Sequence, residues 1–283
     1  MLWPFCYASL CRARVVYSIG LDDIEKDRAP WDYTDQEVVA ACHPVTAFLC
    51  PSDGAGPTNK GERGRTSYHL NRGDITLNWD WYEYRGAFSN GEQHKMSLTD
   101  ILDGTSNTAF FSEACIGTDA TARKVKGGQV ALGAAFNNGH TTGWDNFYFT
   151  PSVCAAARGP SGAIADGYDV VTGDQQVGRR WADAHNPYTM FYTILPPNSP
   201  TCCVHNENAV VTTATSYHSG GVNGCMGDGS VRFVSETIDA GDQTNDLYDI
   251  VPNQERPQDY GGPSVYGVWG AMGTSSGGET IAL

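Results

Sequence analysis

His218 is followed by nine residues and then by Asp228-Gly229. An imidazole and a carboxylate at that distance could meet across a hairpin and share a metal ion or a hydrogen bond. The plainer chemistry is a turn at Asp228-Gly229, because glycine accepts positive φ at no steric cost, with His218 capping the strand that enters it. Asp100, Asp103, Thr105 and Asn107 crowd side-chain oxygens into one loop. Such a loop could hold calcium, which takes about six to eight oxygens. Its spacing is not that of an EF-hand, and helix capping with an Asx-turn accounts for the same residues. Glu113 follows on the next strand and could join either network. Asp239, Asp242, Asp246 and Asp249 form a second calcium candidate, set against a simple solvated acidic loop. His185, His205 and His218, with Ser and Asp nearby, raise a metal-hydrolase reading. No His-Glu-x-x-His helix and no nucleophile elbow are read. Ser219 beside His218 is adjacency in sequence, not triad geometry. Gly54-Ala-Gly56 and Gly127-Gly128 lack the following helix that a phosphate loop needs. The chain is therefore read as non-catalytic.

These residues need elements to position them. Val222 to Met226 and Val231 to Val234 flank the Asp-Gly pair and read as a β-hairpin. Ser97 is expected to cap a helix of little more than one turn, with Asp100 reaching back in a capping box and Gly104 ending it. Thr108 to Ser112, Val125 to Ala135 and Thr189 to Leu195 read as strands. So does Ile75 to Phe88, whose aromatic residues alternate. These aromatics, Trp79 to Phe88, could line a sugar-binding groove; core or subunit interface is the commoner use. Val38 to Phe48 is an apolar run ending at the Pro51-Ser-Asp-Gly54 turn. The tail from Val265 also has strand character. Residues 137–180 read as an irregular insertion and residues 239–260 as an acidic loop, within one domain spanning 1–283. Short strands divided by turns, with few helices, predict a β-rich α+β fold built on an antiparallel sheet with long loops.

The charge narrows the partners. A formal net charge of −14 with only five Lys argues against nucleic acid, whose binding needs cations to displace counterions, and against an anionic membrane surface. No stretch approaches the roughly 18 apolar residues of a membrane span. Nine Cys are too scattered for a Cys-x2-Cys zinc site. Disulfides in an oxidising compartment are the better reading, with Cys42, Cys50, Cys115, Cys154, Cys202, Cys203 and Cys225 as candidates. Neighbouring Cys202 and Cys203 are expected to take different partners, and the pairing is not readable from spacing. No Asn-x-Ser/Thr sequon is present, while Ser- and Thr-rich loops would permit O-linked glycans.

Several boxes occur together and in order. They are Cys50-Pro51-Ser52-Asp53; Thr66-Ser-Tyr68 with Asn71-Arg-Gly73; and Leu98 to Thr108, with Asp103-Gly104-Thr-Ser106-Asn107 at its centre and Glu113 after it. Arg180-Trp181 and Leu195-Pro-Pro-Asn198 follow, then His218 with Asp228-Gly229, then Val268-Trp-Gly-Ala271 and Gly277-Gly-Glu279. This series resembles the bacterial prepilin-type proteins that carry a C-terminal H-x(9)-D-G motif. The resemblance implies a pilin-like sheet packed on a helix. Members of that family begin with a processing site and a long apolar helix. Here Met-Leu-Trp-Pro-Phe-Cys-Tyr opens the chain, and Pro4 and Arg12 interrupt the early apolar run. A helix upstream of Met1 and assembly without that helix both stay open. Some pseudopilins hold calcium in a C-terminal loop, which bears on the second acidic cluster.

The resulting expectation is a non-catalytic extracellular or cell-surface structural protein. It would polymerise with copies of itself into a pilin-like filament or fibril, with calcium as a possible ligand. The alternative is a secreted or surface binding module for carbohydrate or calcium, or a minor pseudopilin of a secretion system.

Overall fold

Asp228-Gly229 forms the turn that its chemistry dictates. Gly229 sits at φ 86° and donates its N–H to Met226 O at 2.9 Å. Ser230 donates from both N and Oγ to Asp228 Oδ1, at 2.9 and 2.7 Å, which holds the Asp228 carboxyl below its usual range. The turn joins β7 (Gly221–Met226) to β8 (Val231–Ser235). The computed structural model describes residues 44–56, 62–76, 84–88, 96–137, 149–244 and 259–279.

Two further strands complete the antiparallel part of this sheet. They are β1 (Tyr68–Asn71) and β2 (Ala109–Glu113). A second sheet combines β3 (Gln129–Ala131) with β4 (Asp169–Val170) and β6 (Thr201–Cys203). The larger sheet has the order β5-β1-β2-β7-β8, where β5 is Met190–Phe191; the smaller has the order β4-β3-β6. Both are mixed, a departure from the purely antiparallel expectation: β5 runs parallel to β1 and β6 parallel to β3. Parallel neighbours need long crossovers, and local pattern does not report them. The β-rich α+β class with little helix holds.

Helix is confined to short pieces. Ser97 N and Oγ both bond Asp100 Oδ2, at 2.7 and 3.0 Å, across one 3₁₀ turn (Leu98–Asp100), as the capping box predicts. Within the span read as an irregular insertion, α1 (Pro151–Ala155) and β4 are ordered and tied to the second sheet. The tail read as strand-like is instead α2 (Gly267–Gly273). Tertiary packing overrides its local preference. Trp269 and Met272 of α2 pack with Phe191, Val222, Met226 and Val234 on one face of the large sheet. Trp269 also donates Nε1–H to Leu195 O at 2.8 Å, joining two of the sequence boxes. Of the aromatic run, residues 77–83 lie outside the described residues. Residues 84–88 form bends rather than strand, and Phe88 packs on Phe110 and Phe111. Residues 38–43 and 245–258, including Asp246 and Asp249, also lie outside the described residues.

The loop after β1 crosses a second loop with no room for a side chain. A Cβ on Gly86 would fall 2.2 Å from Arg72 C, and one on Gly73 2.5 Å from Gly86 N. This close approach carries Arg85 toward Asp74, a contact that recurs below.

His69, on β1, is fully buried. Its Nδ1 lies 3.0 Å from Met190 O, and its Nε2 has no hydrogen-bond partner among the described residues. Burial holds its pKa down to about 4, opposed in part by the Met190 carbonyl. With the folded pKa depressed, the unfolded chain takes up the proton first, near the ordinary value of about 6.5. Stability from the neutral ring is therefore complete above about pH 6.5 and lost as pH falls toward 4. The expected loss between pH 7 and pH 4 is about 3 kcal/mol. It should be read as the difference in urea-unfolding profile between wild type and His69→Gln. Parallel pH profiles for the two proteins would assign the effect elsewhere.

Candidate functional site

Three of the sequence boxes meet at one point. The Cys-Pro-Ser-Asp segment follows a 3₁₀ turn (Thr46–Phe48) and closes on itself through Asp53 N to Cys50 O at 2.9 Å. It is docked on the start of β1 by Ser67 N to Phe48 O at 2.8 Å. The Asp53 carboxylate completes the clamp, accepting from Ala55 N, Ser67 Oγ and Ile116 N at 3.0, 3.2 and 2.9 Å. Trp181, from the Arg-Trp box, packs edge-on against Phe48 with ring centroids 5.5 Å apart. These contacts fix the Cys50 thiol over the end of β2.

Glu113 is the last residue of β2 and stands opposite Tyr68 of β1. It is 4% exposed. On its other side Asn223 of β7 donates its backbone N–H to Glu113 Oε2 at 2.7 Å, and its side-chain amide reaches both carboxylate oxygens at 3.3 Å. His218 sits in the bend that leads into β7. Its N–H bonds Ser216 Oγ at 3.1 Å, and that hydroxyl donates to Gly221 O at 2.7 Å. Ser216 N in turn bonds Asn198 Oδ1 at 3.0 Å, so the Leu-Pro-Pro-Asn box orients the histidine loop.

The three functional atoms form a tight triangle. Glu113 Oε1 lies 3.0 Å from His218 Nε2 and 3.6 Å from Cys50 Sγ, and Sγ lies 3.8 Å from Nε2. His218 is about one-third exposed, whereas Cys50 and Glu113 are buried. The Tyr68 phenol borders the thiol; burial raises its pKa, and the neighbouring Cys50 and Glu113 add to the effect. A crevice of about 10 Å³ opens beside Cys50 and Glu113 and is walled by Asp53, Cys115 and Tyr217. The Cys115 thiol there is pushed up to about 12, chiefly by burial. It is thus a neutral wall rather than a nucleophile.

The arrangement is not that of a nucleophilic triad. A triad base uses one ring nitrogen for the nucleophile and the other for the carboxylate. Here thiol and carboxylate both approach Nε2. The other histidines do not join. His185 pairs with Asp183 at 2.6 Å, and His205 is exposed beside Asn208. A Gly273-Thr-Ser275-Ser-Gly277 spacing does occur, contrary to the reading that no elbow pattern is present. It follows a helix instead of linking strand to helix, as an elbow must. Ser275 is buried and spends its N–H on Arg85 O.

Most of the predicted aspartates that are described have local structural partners. His218 and Asp228 do not meet: Asp228 lies in the exposed turn at the far end of β7, and His218 faces Glu113 rather than capping the strand. Asp100 is used by Ser97. Asp103 accepts from Gly277 N and Gly278 N at 2.7 and 2.8 Å, clamping the closing segment, and Asn107 donates to Asp103 O. Gly104 takes φ 91° at this turn, and Ser106 is exposed. Asp239 and Asp242 form local turns with Gly241 and Thr244. Among the described residues none of these aspartates belongs to a group of three convergent ligands; Cys50, Glu113 and His218 do, within 4.8 Å of one another. Sequence reading put all three in family boxes without joining them. The signal was that each box contributes one side chain able to ligate a metal.

The cysteine expectations are met in part. Cys154 and Cys202 form a disulfide, with Cα atoms 5.9 Å apart. Cys50, Cys115, Cys203 and Cys225 are free thiols, which corrects their candidacy; Cys42 lies outside the described residues. Cys203 points away from its neighbour and reaches Val130 O at 3.4 Å. That divergence follows from the alternation of side chains along a strand. No helix among the described residues is long and apolar enough to cross a membrane.

No curated protein and no solved structure matches this chain. A family model described as "Protein of unknown function (DUF1559)" matches residues 20–241. Most of the chain, including Cys50, Glu113 and His218, lies within that match, and the protein belongs to the DUF1559 family.

Proposed function

We propose that this protein is a non-catalytic structural subunit of the prepilin type, which assembles with copies of itself into a filament or fibril outside the cell. The observation that carries this reading is β8. It is the edge of the five-stranded sheet, and no described strand pairs with its outer side. Val231 and Phe233 stand on it 68% and 55% exposed, while Val234 faces the core. An uncovered edge with exposed apolar side chains is a template for strand addition from another chain. If the contact is head-to-tail and does not close, the product is helical. The buried disulfide suits an oxidising compartment, and the ordered series of boxes supports the prepilin-type assignment. The acidic charge is consistent with a partner other than nucleic acid. It also opposes self-association at low ionic strength, so assembly should strengthen with salt.

Electron microscopy and sedimentation of the purified chain test this. Wild type should form regular filaments whose mass rises with salt. The pair Val231→Lys and Phe233→Lys should leave folded monomers with unchanged circular dichroism. Monodisperse wild type at every concentration and salt would reject assembly and favour a monomeric binding module.

A further inference from the structure

We infer that Cys50, Glu113 and His218 form a three-ligand site for a divalent transition metal ion of the zinc class. This goes beyond the filament reading and does not depend on it. The ligands come from three separate segments, and their donor atoms all lie within 4.8 Å of one another. Zinc bonds of about 2.0–2.3 Å in a tetrahedral arrangement give ligand-to-ligand edges of about 3.4–3.6 Å. The observed edges are 3.6, 3.8 and 3.0 Å. The Nε2 to Oε1 edge must open and the Sγ to Nε2 edge close, each by a few tenths of an ångström, shifts within reach of the partly exposed His218 side chain. Sulfur, nitrogen and oxygen donors together match the borderline softness of zinc. They exclude calcium, which takes an all-oxygen shell.

The surrounding residues act as a supporting shell. Asn223 binds Glu113 Oε2 with its backbone N–H at 2.7 Å and spans both carboxylate oxygens with its side-chain amide at 3.3 Å, which holds Oε1 toward the thiol and imidazole. Outer partners of this kind fix ligand orientation in metal sites. The crevice beside Cys50 and Glu113, about 10 Å³, is of the size of one water. Loading the ion displaces the Cys50 thiol proton to solvent and leaves the imidazole neutral, its proton on Nδ1. One proton is released per ion, and affinity falls as pH falls.

Cobalt(II) is the probe. Titration of the full chain, with the Cys154–Cys202 bond intact and oxygen excluded, should give one equivalent bound. It should show the intense visible bands of a tetrahedral centre and a near-ultraviolet thiolate-to-cobalt band, with zinc displacing it. Cys50→Ser should abolish the thiolate band, and both Cys50→Ser and His218→Gln should weaken binding by about 100-fold or more, at least the scale known for supporting residues. Cys225→Ser should change neither. The Glu113 variant is a poor first choice because that carboxylate also holds Asn223. A weak six-coordinate cobalt spectrum, or a thiolate band that survives Cys50→Ser, would overturn the assignment.

Discussion

Asp74→Ala should cost about 3–5 kcal/mol of folding stability, the usual range for stranding one partner of a buried ion pair. Asp74 is completely buried and Arg85 nearly so, and their closest atoms are 3.4 Å apart. Neither Asp74 oxygen has a hydrogen bond from the described residues, so the guanidinium is its principal compensation. Arg85 meanwhile donates to Gly262 O and lies 4.9 Å from the Tyr260 ring centroid. Its carbonyl accepts from Ser275 N. The pair thus joins the loop after β1, the residue 84–88 bend and the segment around α2. Removing Asp74 leaves a buried cation with those attachments intact but unneutralised. Replacing both partners, as Asp74→Leu with Arg85→Met, should recover much of the loss, because the desolvation penalty of both ions disappears together. Urea-unfolding midpoints at constant slope provide the measurement. A single-variant loss below about 1 kcal/mol would mean that water reaches the pair and screens it.

Removing the Cys154–Cys202 bond should have an effect of similar size. The two residues are 48 apart in sequence, and their sulfurs are fully buried between α1 and β6. Closing a loop of that length restricts the unfolded chain by about 4 kcal/mol at 25 °C. The bond also joins the segment 149–164 to the second sheet, whose strands are only two or three residues long. The Cys154→Ala and Cys202→Ala pair should unfold at correspondingly lower urea. Reductant should destabilise wild type by a similar amount but act slowly, since it must wait for opening to reach a buried bond. Reductant should not alter the double variant. If it lowers the stability of both proteins equally, another bond is responsible.

The sequence alone determined the features that depend on near neighbours. Asp228-Gly229 specifies a turn because glycine tolerates its φ, and flanking apolar residues make the hairpin. Ser97 and Asp100 specify a cap because side-chain oxygens can satisfy open backbone N–H groups within one turn. Composition pointed to a β-rich chain with little helix, and the boxes from Cys50 to Gly229 lie within the residues that the family model matches. Three outcomes needed the tertiary structure. Val268-Trp-Gly-Ala-Met became helix because Trp269 and Met272 pack on the large sheet while Gly273 at its end fits against Thr193, a preference no local pattern carries. Which of the described cysteines pair depended on how α1 meets β6. Cys50, Glu113 and His218 are separated by 63 and 105 residues along the chain. They meet because β2 lies between β1 and β7, and strand order is a long-range property that residue periodicity does not encode.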